Sequence, residues 1–202
     1  MSQSLDIACR CGRVQLHLSV PRRSAGTRTI CYCKDCQTAA HALGAGGDIL
    51  DAAGGTDVWQ TTPDLLEIRQ GADQLGILRL SPQGIYRWYA RCCNTPLCNT
   101  LPRLGLPFVG IITGQRYKTE ADATFGRVRC QANTAGALRG QGAPVADSGF
   151  SAAGAAVLRR MIAGLVSGRA AQSPLREPDG APVAPIRVLS LEERRGACPP
   201  LL

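Results

Sequence analysis

Lysine is nearly missing from this chain: Lys34 and Lys118 are the only two among 23 basic residues, and the rest are arginines scattered from end to end. No basic block occurs of the kind that marks a nucleic-acid arm, so the charge reads as a diffuse, solvated surface and no specific nucleic-acid partner is expected. A positively charged start followed by an apolar run is also missing from Met1 to Pro21. No window approaches the roughly 18 uninterrupted apolar residues that a membrane span needs. The expectation is a soluble, unexported, cytoplasmic protein without a membrane span. At 202 residues and 45% apolar content, it should be one domain with an appendage.

Cysteine, by contrast, is plentiful. The 10 cysteines cluster as CxC at Cys9 and Cys11, CxCxxC at Cys31, Cys33 and Cys36, and CC at Cys92 and Cys93. In a chain without an export signal that clustering points to metal rather than to disulfides. Ligating cysteines are deprotonated, so two divalent ions on seven thiolates would lower the formal charge of +8 to about +5. A redox dithiol at CKDC would need a βαβ pattern, and none surrounds it.

The elements expected around these motifs are mostly strands. Val14, Leu16 and Leu18 alternate with polar residues, and Thr27 to Cys33 reads as a second strand. Lys34 to Leu43 reads as a short helix whose first turn carries metal ligands, where the helix N-terminus favours thiolates. Gly44 to Gly55 is glycine-rich and reads as a loop able to act as a lid, pinned by Ile49 and Leu50. LLEIRQG, GILRLS, GIYRWYA and FVGIIT read as strands, with SPQG making a hairpin of the middle two. Composition changes near residue 119. Ala132 to Ala156 reads as a linker, and Val157, Leu158, Met161, Ile162, Leu165 and Val166 recur at helical spacing, predicting an amphipathic helix at about 153–168. That helix is a candidate contact with the body or with a second copy of the chain. The tail is proline-rich, with Ser190 placed to cap LEERR.

Three sulfurs in CYCKDC make a soft site with three protein ligands, the pattern that leaves room for water or substrate; four ligands make a closed, structural site. His41 is a candidate fourth ligand, although it lies more than a helical turn beyond Cys36. Water or a substrate thiol is the alternative. Asp35 is a candidate proton carrier, and Arg87 with Trp88 and Tyr89 offers an aromatic and basic surface for a carboxylate, unless alternation buries Trp88 in the core. Cys130 and Cys198 fall outside every metal spacing and read as free thiols.

CRCG near the start, CYCKDCQ after the next strand and a cysteine before NTPL after a late hairpin together resemble the glutathione-dependent formaldehyde-activating enzyme family, which includes centromere protein V-like proteins. The likeness spans roughly residues 5 to 118. It implies a mainly β fold, a β-tent of stacked antiparallel sheets, with a zinc-binding unit at 1–118 and an extension at 119–202. It further implies two Zn2+ ions: Cys9, Cys11 and a late cysteine pair at a structural site, and Cys31, Cys33 and Cys36 at a catalytic one. The activity implied is that of a carbon–sulfur lyase of the S-(hydroxymethyl)glutathione synthase type, adding glutathione or a similar thiol to formaldehyde. The sequence departs from the pattern at the late motif. Cys93 aligns with the second cysteine of CxxC, the first falls on Ala90, and Asn94 replaces glycine. Either Cys92, given a local turn, or Cys98 is expected to supply the missing ligand. The CCNTP arrangement resembles a bacterial branch for which the likeness supplies no substrate. The competing expectation is a non-catalytic binding module in which both zincs are structural.

Overall fold

The structure, a computed structural model, describes residues 3–140 and 142–199. The alternation of Leu16 and Leu18 becomes β2 (Gln15–Val20), which pairs antiparallel with β1 (Gln3–Ala8), setting Leu5 opposite Leu18 and Ile7 opposite Leu16. One face of this hairpin is therefore apolar except for Gln3 at its end. Strand β5 (Leu66–Gln70) completes a three-stranded sheet in the order β1-β2-β5.

The second sheet has eight strands. β3 (Thr27–Cys31), β4 (Thr56–Thr61), β6 (Leu75–Arg79), β7 (Tyr86–Ala90), β8 (Thr95–Thr100) and β9 (Val109–Ile112) form its antiparallel middle. β10 (Cys130–Ala132) and β11 (Ile186–Val188) lie parallel to β3 and β6 at its two edges, giving the order β10-β3-β4-β9-β8-β7-β6-β11. The expected strands are present, β6 and β7 as the hairpin across SPQG, and the protein is mainly β.

Alternation along the central strands builds two cores on opposite faces of the large sheet. Ile77, Trp88, Leu97 and Ile111 pack with Leu5, Ile7, Leu16 and Leu18 of the small sheet. Trp88 is thus a core residue, its indole N–H donating to Thr100 Oγ1 at 2.9 Å. On the other face Leu78, Tyr89 and Ile112 pack with Ala39, Ala40 and Leu43 along α1 (Lys34–Ala42), and with Ile49 of α2 (Gly46–Ile49). The stretch expected to be a loop at 44–55 therefore holds a short helix, anchored by buried Ile49. Arg28, 4% exposed, is held by Asp57 at 2.6 Å and by Asp122 of α3 (Lys118–Phe125) at 2.6 Å. A buried guanidinium needs such partners to offset its lost hydration.

Residues after 119 are woven into this body. The stretch that composition reads as a linker contains the end of β10 and a turn at Thr134–Gly136. The predicted amphipathic helix is α4 (Phe150–Val166), which docks through the small residues Ala153 and Gly164, while Leu158, Ile162, Leu165 and Val166 are exposed. Close approach explains the choice: a Cβ at Gly164 would sit 3.0 Å from the Pro107 ring. α5 (Leu191–Ala197) begins with Ser190 and Glu193 in a reciprocal capping box. No described helix is long and apolar enough to cross a membrane.

Candidate metal centres

The first cysteine cluster is made by two tight turns at the ends of two hairpins. β1 stops at Ala8, so Cys9 and Cys11 converge through a turn rather than along one face of a strand; Gly12 N–H donates to Cys9 O at 3.0 Å, with Gly12 at φ +76°. A side chain at Gly12 would be strained in that left-handed conformation. The second turn joins β7 to β8 through Arg91–Asn94. Asn94 stands at φ 55°, in the left-handed region that asparagine tolerates better than most residues. This is how asparagine serves where the resembled motif has glycine.

That turn brings Cys92, rather than Cys98, to the other sulfurs. Cys92 Sγ lies 3.8 Å from Cys9 Sγ, 3.3 Å from Cys11 Sγ and 3.8 Å from Cys93 Sγ, and Cys9 and Cys11 are 3.5 Å apart. Cys98 is 1% exposed within β8, on the face of the inter-sheet core, and burial pushes its thiol up. Ala90 is likewise in that core. The two turns are tied together by Arg10, whose N–H donates to Thr95 Oγ1 at 3.0 Å and whose guanidinium donates to Cys93 O at 2.6 Å. Burial opposes ionisation of Cys93, but the Thr95 hydroxyl and the Cys11 backbone bring it down to about 6. Burial and its sulfur neighbours push Cys92 up to about 12.

The second cluster is local. Cys31 ends β3, Cys33 is the N-cap of α1, and Cys36 lies in the first turn, where its N–H donates to Cys33 Sγ at 3.3 Å. Hydrogen bonds from Cys33, then Cys36, hold the Cys31 thiol down at about 2, with Asn133 adding a contact of 3.5 Å. Bonding to the Cys31 thiolate correspondingly raises Cys33 and, with burial, Cys36. One negative charge thus settles first on Cys31, and a cation would be needed to gather the other two.

The six residues from Cys31 are braced from the side by the chain that follows β10. Gln37 Nε2 donates to Tyr32 O at 2.9 Å and to Gly136 O at 2.8 Å. Gly136 passes so close that a Cβ there would meet Tyr32 O at 2.5 Å. Asn133 is in left-handed conformation at φ 58°. Sequence reasoning missed these residues. Gln37 adjoins the motif and could have been found, whereas nothing in the sequence ties Asn133 or Gly136 to Cys31.

Other candidates lie elsewhere. His41 is exposed and does not join the cysteines, and Asp35 is exposed and receives Arg194 Nη2 at 3.3 Å. Cys130 is buried beside α4, and Cys198 is exposed. Arg87 parts company with Trp88: it faces α1, with Nη1 4.0 Å from Cys36 Sγ. It lines a recess of about 20 Å3 with Cys36, Thr56, Asn99 and Ile112.

Both sulfur groups fit a metal. A tetrahedral ion about 2.3 Å from each sulfur sets the sulfurs about 3.8 Å apart. The four sulfurs of Cys9, Cys11, Cys92 and Cys93, and the three of Cys31, Cys33 and Cys36, each lie within 4.8 Å of one another. All-sulfur donor sets suit soft or borderline ions rather than Mg2+ or Ca2+. Each cluster could therefore hold one metal ion.

Among curated proteins, the chain has no match. It is similar to a crystal structure of a Rhodobacter sphaeroides protein from Northeast Structural Genomics, at 15% identity and a TM-score of 0.42, over 64% of this chain and 100% of that one. Residues 1–187 match the model of a family of unknown function, DUF6151, and the chain belongs to that family.

Proposed function

We propose that the protein is a zinc-dependent enzyme of the carbon–sulfur lyase type, adding glutathione or a similar small thiol to a small aldehyde. Cys31, Cys33 and Cys36 hold the working ion; Cys9, Cys11, Cys92 and Cys93 hold a second, structural one. The observation that carries this reading is the inequality of the two clusters. One gathers four sulfurs, while the other gathers three, and no further His, Cys, Asp or Glu among the described residues joins them within 4.8 Å. Three protein ligands are the catalytic pattern.

Zinc bound there would supply a Lewis acid that keeps a ligating thiol ionised at neutral pH. The chain's own groups fix the sulfurs and screen them. The Cys36 N–H and the Asn133 amide donate to Cys33 and Cys31, and the inner side of Cys36 is lined by Ala39, Ala40 and Leu43 together with Arg87, whose guanidinium donates to its sulfur. The ordered motifs CRCG, CYCKDCQ and CCNTPL, which resemble the formaldehyde-activating family, support the same chemistry.

The test uses full-length protein loaded with Co2+. Glutathione is expected to change the visible spectrum of about half the bound cobalt, and added formaldehyde to consume thiol. A spectrum indifferent to millimolar glutathione would rule the reading out and leave a zinc-stapled binding module.

A further inference from the structure

Arginines that the sequence scatters are gathered by the fold into one groove. It holds about 480 Å3 between the start of β3, the segment 126–129 and one flank of α4, and Arg23, Arg28, Arg127, Arg129, Arg159 and Arg160 line it without an acidic side chain among them. Asp57 and Asp122 answer the charge of Arg28. The other five have no carboxylate within 4 Å among the described residues. The groove adjoins Thr27 at the start of β3, whereas Cys31 stands at the opposite end of that strand.

Two of these cations are held by neutral acceptors, which fix a guanidinium without cancelling its charge. Arg160 Nη2 donates to Thr27 Oγ1 at 2.8 Å and to Gln60 O at 3.2 Å, and Arg23 Nη2 donates to Ala123 O at 2.9 Å. The backbone beside them is fixed as well. Arg28 Nη1 donates to Gly126 O at 2.7 Å, Arg129 N–H donates to Arg28 O at 2.9 Å, and a Cβ at Gly149 would collide with Arg129 O. Burial, then the positive charge of Arg159, lower Arg160 below its ordinary value. Like charges gathered in a partly desolvated groove repel, so an anion entering it would relieve a cost that the free protein carries. The α4 wall is Ala152, Ala153 and Ala156, side chains short enough to leave the space open.

We propose that this groove binds a small organic molecule bearing at least two phosphate groups. The planar guanidinium fork matches phosphate oxygens in pairs. One phosphate monoester brings a charge of only about −2, so five unanswered cations suit more than one such group. The volume falls within the range of about 300–1,000 Å3 usual for small-molecule sites. Concavity favours such a ligand over a nucleic-acid strand, which is tracked by a stripe or an open face of charge. Val128 and the alanines of α4 offer apolar contact to its carbon skeleton. The groove shares no residue with either cysteine cluster, so the inference goes beyond the thiol-addition reading and does not depend on it.

Pyrophosphate is the probe, titrated at low salt into full-length, zinc-loaded protein and followed by amide NMR. Saturable shifts are expected at Thr27, Val128, Arg129 and Ala153, with inorganic phosphate binding at least about ten-fold more weakly. A sugar bisphosphate should displace pyrophosphate from the same residues. Arg127 and Arg159 are exposed and make none of the hydrogen bonds above, so Arg127→Gln combined with Arg159→Gln should leave the fold intact and weaken pyrophosphate at least about ten-fold. Ala152→Phe, also at an exposed position, should weaken it as much by filling the groove with no change of charge. Shifts confined to residues 31–36 would place the anion on the metal, and wild-type affinity in Ala152→Phe would place it on the outer surface. Either result overturns the inference, as does a titration that never saturates or a sugar bisphosphate that does not compete. A single-stranded oligonucleotide that binds more tightly than pyrophosphate and ignores Ala152→Phe would overturn it too, making the arginines a nucleic-acid surface.

Discussion

The two cysteine clusters are built in opposite ways. In one, four sulfurs come from turns 83 residues apart, one capping a hairpin of the small sheet and the other a hairpin of the large sheet. In the other, three sulfurs come from six consecutive residues at a strand-to-helix junction. A bond between distant segments closes a long loop and restrains how two sheets pack; a local one restrains only its own turn. On the reading proposed above, the same chemical group would act on the fold in one case and on a ligand in the other.

Removing a sulfur from the distant cluster should have the largest effect. Cys9→Ser or Cys92→Ser is expected to lose one of two bound metal equivalents and to lower Tm by about 10 °C, equivalent to about 4 kcal/mol in a chain of this size. Calorimetry together with metal analysis reads both, and an unchanged Tm would erase the distinction between the clusters. Cys33→Ser should lose the other equivalent and the whole glutathione response of the cobalt protein. Its Tm should fall by less than half as much, because the two-turn staple persists.

Cys98→Ser sharpens the assignment of Cys92. It should leave both metals in place and cost about 1–3 kcal/mol, the penalty of a buried hydroxyl without a partner, measured by denaturant unfolding. His41→Ala should change neither the metal count nor stability by more than about 0.5 kcal/mol, as befits an exposed residue. A lost metal equivalent in that variant would give the three-sulfur cluster a fourth protein ligand.

Much of this was legible in the sequence where spacing and geometry coincide. CYCKDC predicts both a strand end and a helix start, and the period of two in Val14–Leu18 predicts the apolar face of β2. The legibility fades where distant segments meet. Cys92 joins Cys9 only because Asn94 adopts a left-handed turn, which one sequence does not reveal. Arg87, Asn99 and Thr56 share a recess because of register across four strands, from β4 through β9 and β8 to β7, and register is a property of the assembled sheet. Composition misread 132–156 because glycine and alanine serve here for close approach, at Gly136 beside Tyr32 and at Ala153 on the docking face of α4, rather than for freedom.

The two parallel edge strands have a consequence for how the molecule is made. β10 and β11 arrive late in the chain, so during synthesis the sheet grows from its middle and both flanks, β3 and β6, wait with unpaired backbone groups. Such flanks are templates for pairing with another chain. The flank at β3 ends in Cys31, so an unfinished molecule exposes a sticky edge beside a cysteine. Metal capture by CYCKDC at that stage would occupy the cysteine before a neighbouring chain could reach it.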